Sequence, residues 1–262
     1  MDLRLDNKLA LVTGSTKGIG CAIATSLLRE KARVIVNGRT EKSVNEALTR
    51  IRSSVPNAAL ESFAGDLSRA DVADALAKRF PAVDILVNNL GIFEPKPFEQ
   101  ISDEEWRRYF EVNVLSGVRL SRIYFGDMMQ RNWGRILFLS SESGLQPPPE
   151  MIHYGMTKTA VIAVARGIAE LTAGTGVTVN SILPGPTRSE GVDQFVNMLS
   201  AGKSFAEFEK EFFEKVRPTS LLKRFATPEE VANLVAYVCS PLSAATNGAA
   251  LRVDGGVVKS AF

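Results

Sequence analysis

Tyr154 and Lys158 stand four residues apart in Tyr154-Gly155-Met156-Thr157-Lys158, and Ser141 lies thirteen residues before the tyrosine. Residues four apart share one face of a helix, about one turn from each other. The run at 159–171 carries Ala, Val, Ile and Leu with no Pro and one glycine, Gly167, which predicts a helix. An ammonium beside a phenol favours the phenolate and draws its pKa below the ordinary value of ~10. Such a phenol can give or take a proton near neutral pH. The same spacing also arises by chance on a surface helix in a chain with 31 Lys and Arg, so the rest of the sequence has to decide.

The elements that must position these residues begin with an apolar strand at 8–12. It runs directly into Thr13-Gly14-Ser15-Thr16-Lys17-Gly18-Ile19-Gly20, and Ala22, Ile23, Ser26, Leu27 and Leu28 then recur at helical spacing. Strand, glycine-rich turn and helix form the setting in which a helix N-terminus and close backbone amides hold a pyrophosphate. The spacing is G-x-x-x-G-x-G, not the commoner G-x-G-x-x-G, and a plain glycine-rich turn is the competing reading. A second strand, 32–37, ends in Gly38-Arg39-Thr40, with no acid before Glu41. An acid near this point would hydrogen-bond a ribose hydroxyl. Arg39 and Lys17 in its place suit a 2′-phosphate, unless they are simply solvated surface cations.

A helix at 43–53 leads to a strand at 60–64 closed by Gly65-Asp66-Leu67. An amphipathic helix (Val72, Ala75, Leu76, Phe80) then precedes a strand at 84–87 and Asn88-Asn89-Leu90-Gly91. The alternation, with strands apolar throughout, predicts an α/β fold: a doubly wound parallel sheet with helices on both faces. A long helical pattern covers 103–129, with Asn113 inside it either marking a kink or serving chemistry. The next strand, 134–140, delivers Ser141 to its carboxyl end, where ligands bind in open sheets. Strands at 177–183, followed by Pro184-Gly185-Pro186-Thr187, and at 249–253, followed by Asp254-Gly255-Gly256, bring the count to seven.

Between the last two strands, 188–218 is too long for an ordinary connection and reads as a lid. Val192, Phe195, Val196 and Leu199 form one apolar helix face. Phe205, Phe208, Phe212 and Phe213 fit a second helix beyond Ala201-Gly202-Lys203. The lid is expected to be mobile without ligand, unless its phenylalanines are fixed core. With no repeat or linker, residues 1–262 are expected to form one domain.

Composition excludes several classes. A net charge of +2 gives no case for nucleic acid or an anionic membrane. No apolar run approaches the ~20 residues that span a bilayer, and 1–6 lack the apolar core of a signal peptide. Cys21 and Cys239 form neither a disulfide framework nor a metal cluster, so no metal is expected. A cytoplasmic protein is expected.

Thr13-Gly-x-x-x-Gly-x-Gly20, Asn88-Asn89-x-Gly91, Asn113, Ser141, Tyr154-x-x-x-Lys158 and Pro184-Gly185 together resemble the short-chain dehydrogenase/reductases, in their order and spacing. The resemblance covers nearly the whole chain, from Lys8 to Gly256, and is to the single-domain branch that reduces carbonyls or oxidises alcohols. It implies a seven-stranded Rossmann sheet, NADP(H) as cofactor, and a homotetramer or homodimer built on the helices at 103–129 and 152–173 and the last strand. Tyr154 would be the general acid/base, Lys158 would lower its pKa and bind the nicotinamide ribose, Ser141 would bond the substrate oxygen, and Asn113 would hold a water relaying to solvent. Gly14, Ser15, Thr16, Lys17, Gly18, Ile19 and Gly20 would line the pyrophosphate side. Arg39 would meet the 2′-phosphate, Asp66 and Leu67 the adenine, and Asn89 and Gly91 the adenosine side. Pro184, Gly185 and Thr187 would lie by the carboxamide or phosphates.

Leu90 departs from the family's usual Ala. Ser140 and Ser143 flank Ser141, which the thirteen-residue spacing selects. His153, the only histidine, has no partner carboxylate in view and reads as a helix-start or pocket-lining residue, while Pro147-Pro148-Pro149 stiffens the pocket wall.

Three functions are compatible: reduction of an unidentified ketone (or oxidation of its alcohol), reduction of a 3-oxoacyl thioester, and redox sensing without turnover. Carrier-protein reductases of the family usually place basic residues where this chain has Asn132 and Thr175, although Arg131 is adjacent. The complete set of Asn113, Ser141, Tyr154 and Lys158 argues against a sensor. Epimerase-like relatives are longer with a different glycine spacing, and enoyl reductases usually space tyrosine and lysine further apart.

Overall fold

The structure, a computed structural model, describes residues 2–189 and 204–261. The first expected lid helix, 192–199, and the Ala201-Gly202-Lys203 break lie outside the described residues. Seven strands pair, all parallel: β1 (Leu9–Val12), β2 (Arg33–Gly38), β3 (Leu60–Ala64), β4 (Ile85–Asn88), β5 (Gly134–Leu139), β6 (Val177–Pro184) and β7 (Ala250–Val253). Their order is β3-β2-β1-β4-β5-β6-β7. From β1 the sheet grows one way through β2 and β3, and from β4 it grows the other way. The reversal opens a crevice at the carboxyl ends of β1 and β4, the place where such sheets bind ligands.

Alternation along the strands builds two apolar layers. Ala10, Val12, Val34, Val36, Ile85, Val87, Leu137, Leu139 and Ile182 face α1 (Gly18–Arg29), α2 (Glu41–Ser54) and a C-terminal helix, Pro228–Cys239. Leu11, Ile35, Leu86, Ile136, Phe138, Val177 and Val179 face α3 (Ala70–Arg79) and the helices that follow β4 and β5. Both faces are covered, so the strands are apolar at nearly every position.

The pattern at 103–129 does not form one helix. α4 (Asp103–Phe110) passes into a π-helical turn, Glu111–Leu115, and α5 (Ser116–Gln130) continues from it. The wider turn inserts an extra residue and rotates Asn113 off the helix axis toward its partners. The Asn113 amide accepts from the Ile92 N–H at 2.8 Å and donates to the Ile92 carbonyl and to Thr157 Oγ1, each at 3.0 Å. The helix is therefore interrupted at Asn113 by a π turn, from which Asn113 bonds outward and does not cap. α6 (Ile152–Glu170), α7 (Phe205–Lys215) and α8 (Pro228–Cys239) complete the described helices.

Asn37 closes β2 against the glycine turn. Its Oδ1 accepts from Gly14 N–H at 3.1 Å, and its Nδ2 donates to the carbonyls of Phe63 and Gly65 at 3.0 and 3.1 Å. It is wholly buried, and truncation removes three hydrogen bonds to backbone groups. Asn37→Ala is expected to lower the unfolding free energy by about 1–3 kcal/mol in urea titration. A loss below about 0.5 kcal/mol would show that the turn holds its shape without that amide.

Candidate active site

The glycine turn is shaped for close approach. Gly14 and Gly18 adopt φ of +59° and +53°, which favour glycine. A Cβ on Gly20 would lie 2.5 Å from Asn89 Nδ2 and 2.6 Å from the Gly14 carbonyl oxygen, so no side chain fits there. Lys17 occupies the N-cap of α1 in extended conformation and gives no side-chain cap to the helix amides. An anionic group is what such a helix end accommodates. Asn89 Nδ2 donates to the carbonyls of Thr13 (2.9 Å) and Gly14 (3.2 Å), fastening the end of β4 to the turn. Leu90 packs into the second apolar layer, with Cδ1 3.5 Å from where a Gly14 Cβ would be. Its bulk is thus accommodated by core.

A cavity of about 1230 Å³ extends from this turn across the sheet's carboxyl edge. Lys17, Gly18, Ile19, Gly20, Asn89, Gly91, Ser141, Tyr154, Lys158, Pro184, Gly185 and Thr187 all line it. The glycine turn, the extended groove and the N-terminal end of α1 fit a dinucleotide. Gly14, Ser15, Thr16, Arg39, Asp66, Leu67 and Asn113 do not line this cavity. Ser15 donates to the Val12 carbonyl at 2.7 Å, Leu67 is buried in the second layer, and Asp66 accepts from the amide and hydroxyl of Ser68. Arg39 is exposed.

Helix α6 carries the reacting pair. Ser140 Oγ donates to the Lys158 carbonyl and Lys158 Nζ donates to the Leu139 carbonyl, both at 2.7 Å. Ser140 is therefore spent on holding α6 to β5, while Ser141 and Ser143 also line the cavity. Lys158 Nζ lies 5.5 Å from the centre of the Tyr154 ring. Burial lowers the Lys158 pKa to about 8. Tyr154 departs from expectation: burial first, and then the charge of Glu142, raise its pKa above the ordinary phenol value, while Ser141 and Arg217 pull the other way. The reason is geometric. The ammonium points at the Leu139 carbonyl, and a carboxylate stands close to the phenol.

That carboxylate was not among the residues singled out in the sequence. Glu142 is buried and accepts a short hydrogen bond from Ser141 Oγ. It also accepts from Arg217 Nε at 3.2 Å, and Arg217 Nη1 donates to Glu150 at 3.0 Å. All three line the cavity. An acid next to Ser141, at the end of an apolar strand, was a visible signal, but its pairing with Arg217 spans 75 residues.

His153 is buried beside Tyr109 and Trp106, with ring centres 4.0 and 6.0 Å away, and does not line the cavity, so it is a helix-start packing residue. Burial lowers its pKa. Of the α7 phenylalanines, Phe213 is core against Phe225, whereas Phe208 and Phe212 line the cavity, as do Pro147, Pro148 and Pro149.

A family model described as enoyl-(acyl carrier protein) reductase matches residues 14–258. The chain is 48% identical to the uncharacterized oxidoreductase YvaG of Bacillus subtilis (strain 168), with all of both chains covered. It is 30% identical to the 3-oxoacyl-[acyl-carrier-protein] reductase FabG of Aquifex aeolicus (strain VF5), covering 98% of this chain and all of the relative. The L-sorbose reductase of Gluconobacter frateurii, solved with NADPH and L-sorbose, superposes with a TM-score of 0.92 at 28% identity, covering 99% of this chain and 100% of that one. The chain belongs to the short-chain dehydrogenase/reductase family of oxidoreductases.

Lys158 yields a test of this geometry. Its folded pKa, about 8, lies below the 10.5 of an unperturbed lysine. Between the two values the unfolded chain binds the proton more tightly, so stability rises with pH across that window. The burial penalty is complete below about 8 and gone above 10.5. Measured by urea unfolding, wild type is expected to gain on the order of 3 kcal/mol over Lys158→Met as pH rises through the window. A difference independent of pH would mean that the folded amine titrates like a free lysine and that burial does not penalise its charge.

Proposed function

We propose that this protein is an NADP(H)-dependent oxidoreductase acting on a ketone or the corresponding secondary alcohol. The observation that carries the reading is that Ser141, Tyr154 and Lys158 meet the glycine turn in one continuous cavity. The bound nicotinamide supplies or accepts the hydride. Tyr154 gives its phenolic proton to the substrate oxygen in reduction and takes it back in oxidation. Ser141 bonds the same oxygen and stabilises its developing charge. Lys158 turns from the Leu139 carbonyl toward the ribose and phenol, favouring the phenolate. Asn113, anchored to Ile92 and Thr157, keeps the turn beside Gly91 in place and holds the relay water. Lys17 and Arg39 take the 2′-phosphate; NADPH in the sorbose reductase complex supports this choice.

A 3-oxoacyl thioester is the second reading, favoured by the likeness to FabG. Against a carrier-protein partner, Asn132 accepts from the Gly176 amide and Thr175 donates to the Thr172 carbonyl, so neither presents a cation. The same proposal takes the chain as one cytoplasmic domain assembled as a homotetramer or homodimer through α4, α5, α6 and β7. Among the described residues, no helix is long and apolar enough to cross a membrane.

A panel of ketones followed by nicotinamide absorbance tests the reaction, and Tyr154→Phe is expected to abolish turnover while NADPH still binds. More than a tenth of wild-type rate would remove Tyr154 from its role. NADPH is expected to bind at least about tenfold more tightly than NADH, because each charge-assisted bond to phosphate is worth roughly 1.5–3 kcal/mol. Arg39→Asp should reverse that order, and equal affinities at low salt would refute the cofactor assignment. Light scattering at micromolar concentration should give a dimer or tetramer; a monomer contradicts the assembly.

A further inference from the structure

The hydroxyl of Ser141 has one hydrogen, which it gives to Glu142 Oε2, and Tyr154 is a second hydrogen-bond neighbour of the same hydroxyl. Its oxygen already accepts from the Ser143 amide at 3.1 Å. To bond a substrate carbonyl, Ser141 must turn its hydrogen away from Glu142. A carboxylate whose side chain is 7% exposed would then lose the donor on Oε2, while Oε1 stays on Arg217. Leaving a buried acceptor unsatisfied opposes binding unless the ligand replaces the donor.

Resting on the proposed ketone reduction, we infer that Glu142 selects substrates that bear a hydroxyl on the carbon next to the carbonyl. In that exchange the carbonyl oxygen takes the Ser141 hydrogen and the adjacent hydroxyl donates to Glu142 Oε2. Ser141 Oγ and Glu142 Oε2 are hydrogen-bonded neighbours, so a ligand that engages both needs an acceptor and a donor on adjacent carbons. Reduction adds hydride from the cofactor to the carbonyl carbon and a proton from Tyr154 to its oxygen, giving a vicinal diol whose second hydroxyl is unchanged.

Charge sharpens the choice. Arg217 is shared between two carboxylates, Glu142 and Glu150, so that cluster carries one net negative charge at the cavity wall. A 2-oxo acid would set its carboxylate beside Glu142 and is disfavoured. Phe208, Phe212 and Val257, which also line the cavity, leave room for apolar bulk beyond the polar end.

Three probes on one carbon skeleton test this: 3-hydroxy-4-phenylbutan-2-one, 4-phenylbutan-2-one and 2-oxo-4-phenylbutanoate. With NADPH, the hydroxyketone is expected to have a kcat/KM about tenfold or more above the plain ketone, and the oxo acid to be poorest. Glu142→Gln and Glu142→Ala, checked for folding by circular dichroism, should each shrink the hydroxyketone-to-ketone ratio at least about threefold. A structural role for Glu142 would lower both rates and leave the ratio alone. Calorimetry with the wild-type protein, with and without NADP⁺, reads the same preference without turnover and should give tighter binding of the hydroxyketone. Turnover of none of the probes would count against the proposed reaction, and the calorimetric ratio alone would then decide the role of Glu142. Equal kcat/KM for hydroxyketone and ketone, equal affinities, or a ratio unchanged in both variants overturns the inference.

Discussion

The close seating of α6 on the carboxyl end of β5 is the constraint on which the site depends. Ser140 Oγ and Lys158 Nζ each reach backbone carbonyls across this junction at 2.7 Å, and Thr159 Oγ1 donates to the Gly144 carbonyl at 2.8 Å. A Cβ on Gly144 would stand 2.8 Å from the Lys158 carbonyl oxygen, so only glycine permits the approach. Ser141 comes from the strand side and Tyr154 and Lys158 from the helix side. Without this junction they would share no cavity.

Such a site opposes stability. Lys158 is a buried amine, and the Glu142–Arg217 pair buries further charge at the same cavity. Desolvation of buried ions can exceed what their attraction returns, yet removing one partner typically costs about 3–5 kcal/mol because the other is stranded. The two apolar layers on either side of the sheet offset these penalties. Arg217 also does something that no residue of the sheet can do. It ties the segment after α7 to both Glu142, after β5, and Glu150, before α6, so one wall of the cavity is fixed by charge and not by packing.

Much of this was legible in the residue order. Alternating apolar strands and helical repeats gave the doubly wound sheet, because strands buried on both faces need apolar residues throughout. The glycine turn and the thirteen-residue interval from Ser141 to Tyr154 are local signals whose geometry depends on one strand, one turn and one helix. Their meeting in one cavity agrees with the rule that parallel strands carry ligands at their carboxyl ends. The helical period at 103–129 misled, since a π turn leaves apolar spacing nearly intact while rotating the helix beyond it.

Sequence alone determined the strands, most of the helices and the doubly wound parallel class, each from short-range pattern, and the family from motifs spread between Lys8 and Gly256. Tertiary structure decided what depends on contacts between distant residues. Asn113 bonds Ile92 and Thr157 across 21 and 44 positions, and Arg217 reaches Glu142 across 75. It also decided the protonation balance of the site, where burial and Glu142 raise the Tyr154 pKa although a lysine lies one turn away. A helix period places two residues on one face, but desolvation and the nearest carbonyl or carboxylate set their charges, and those neighbours are supplied only by the folded chain.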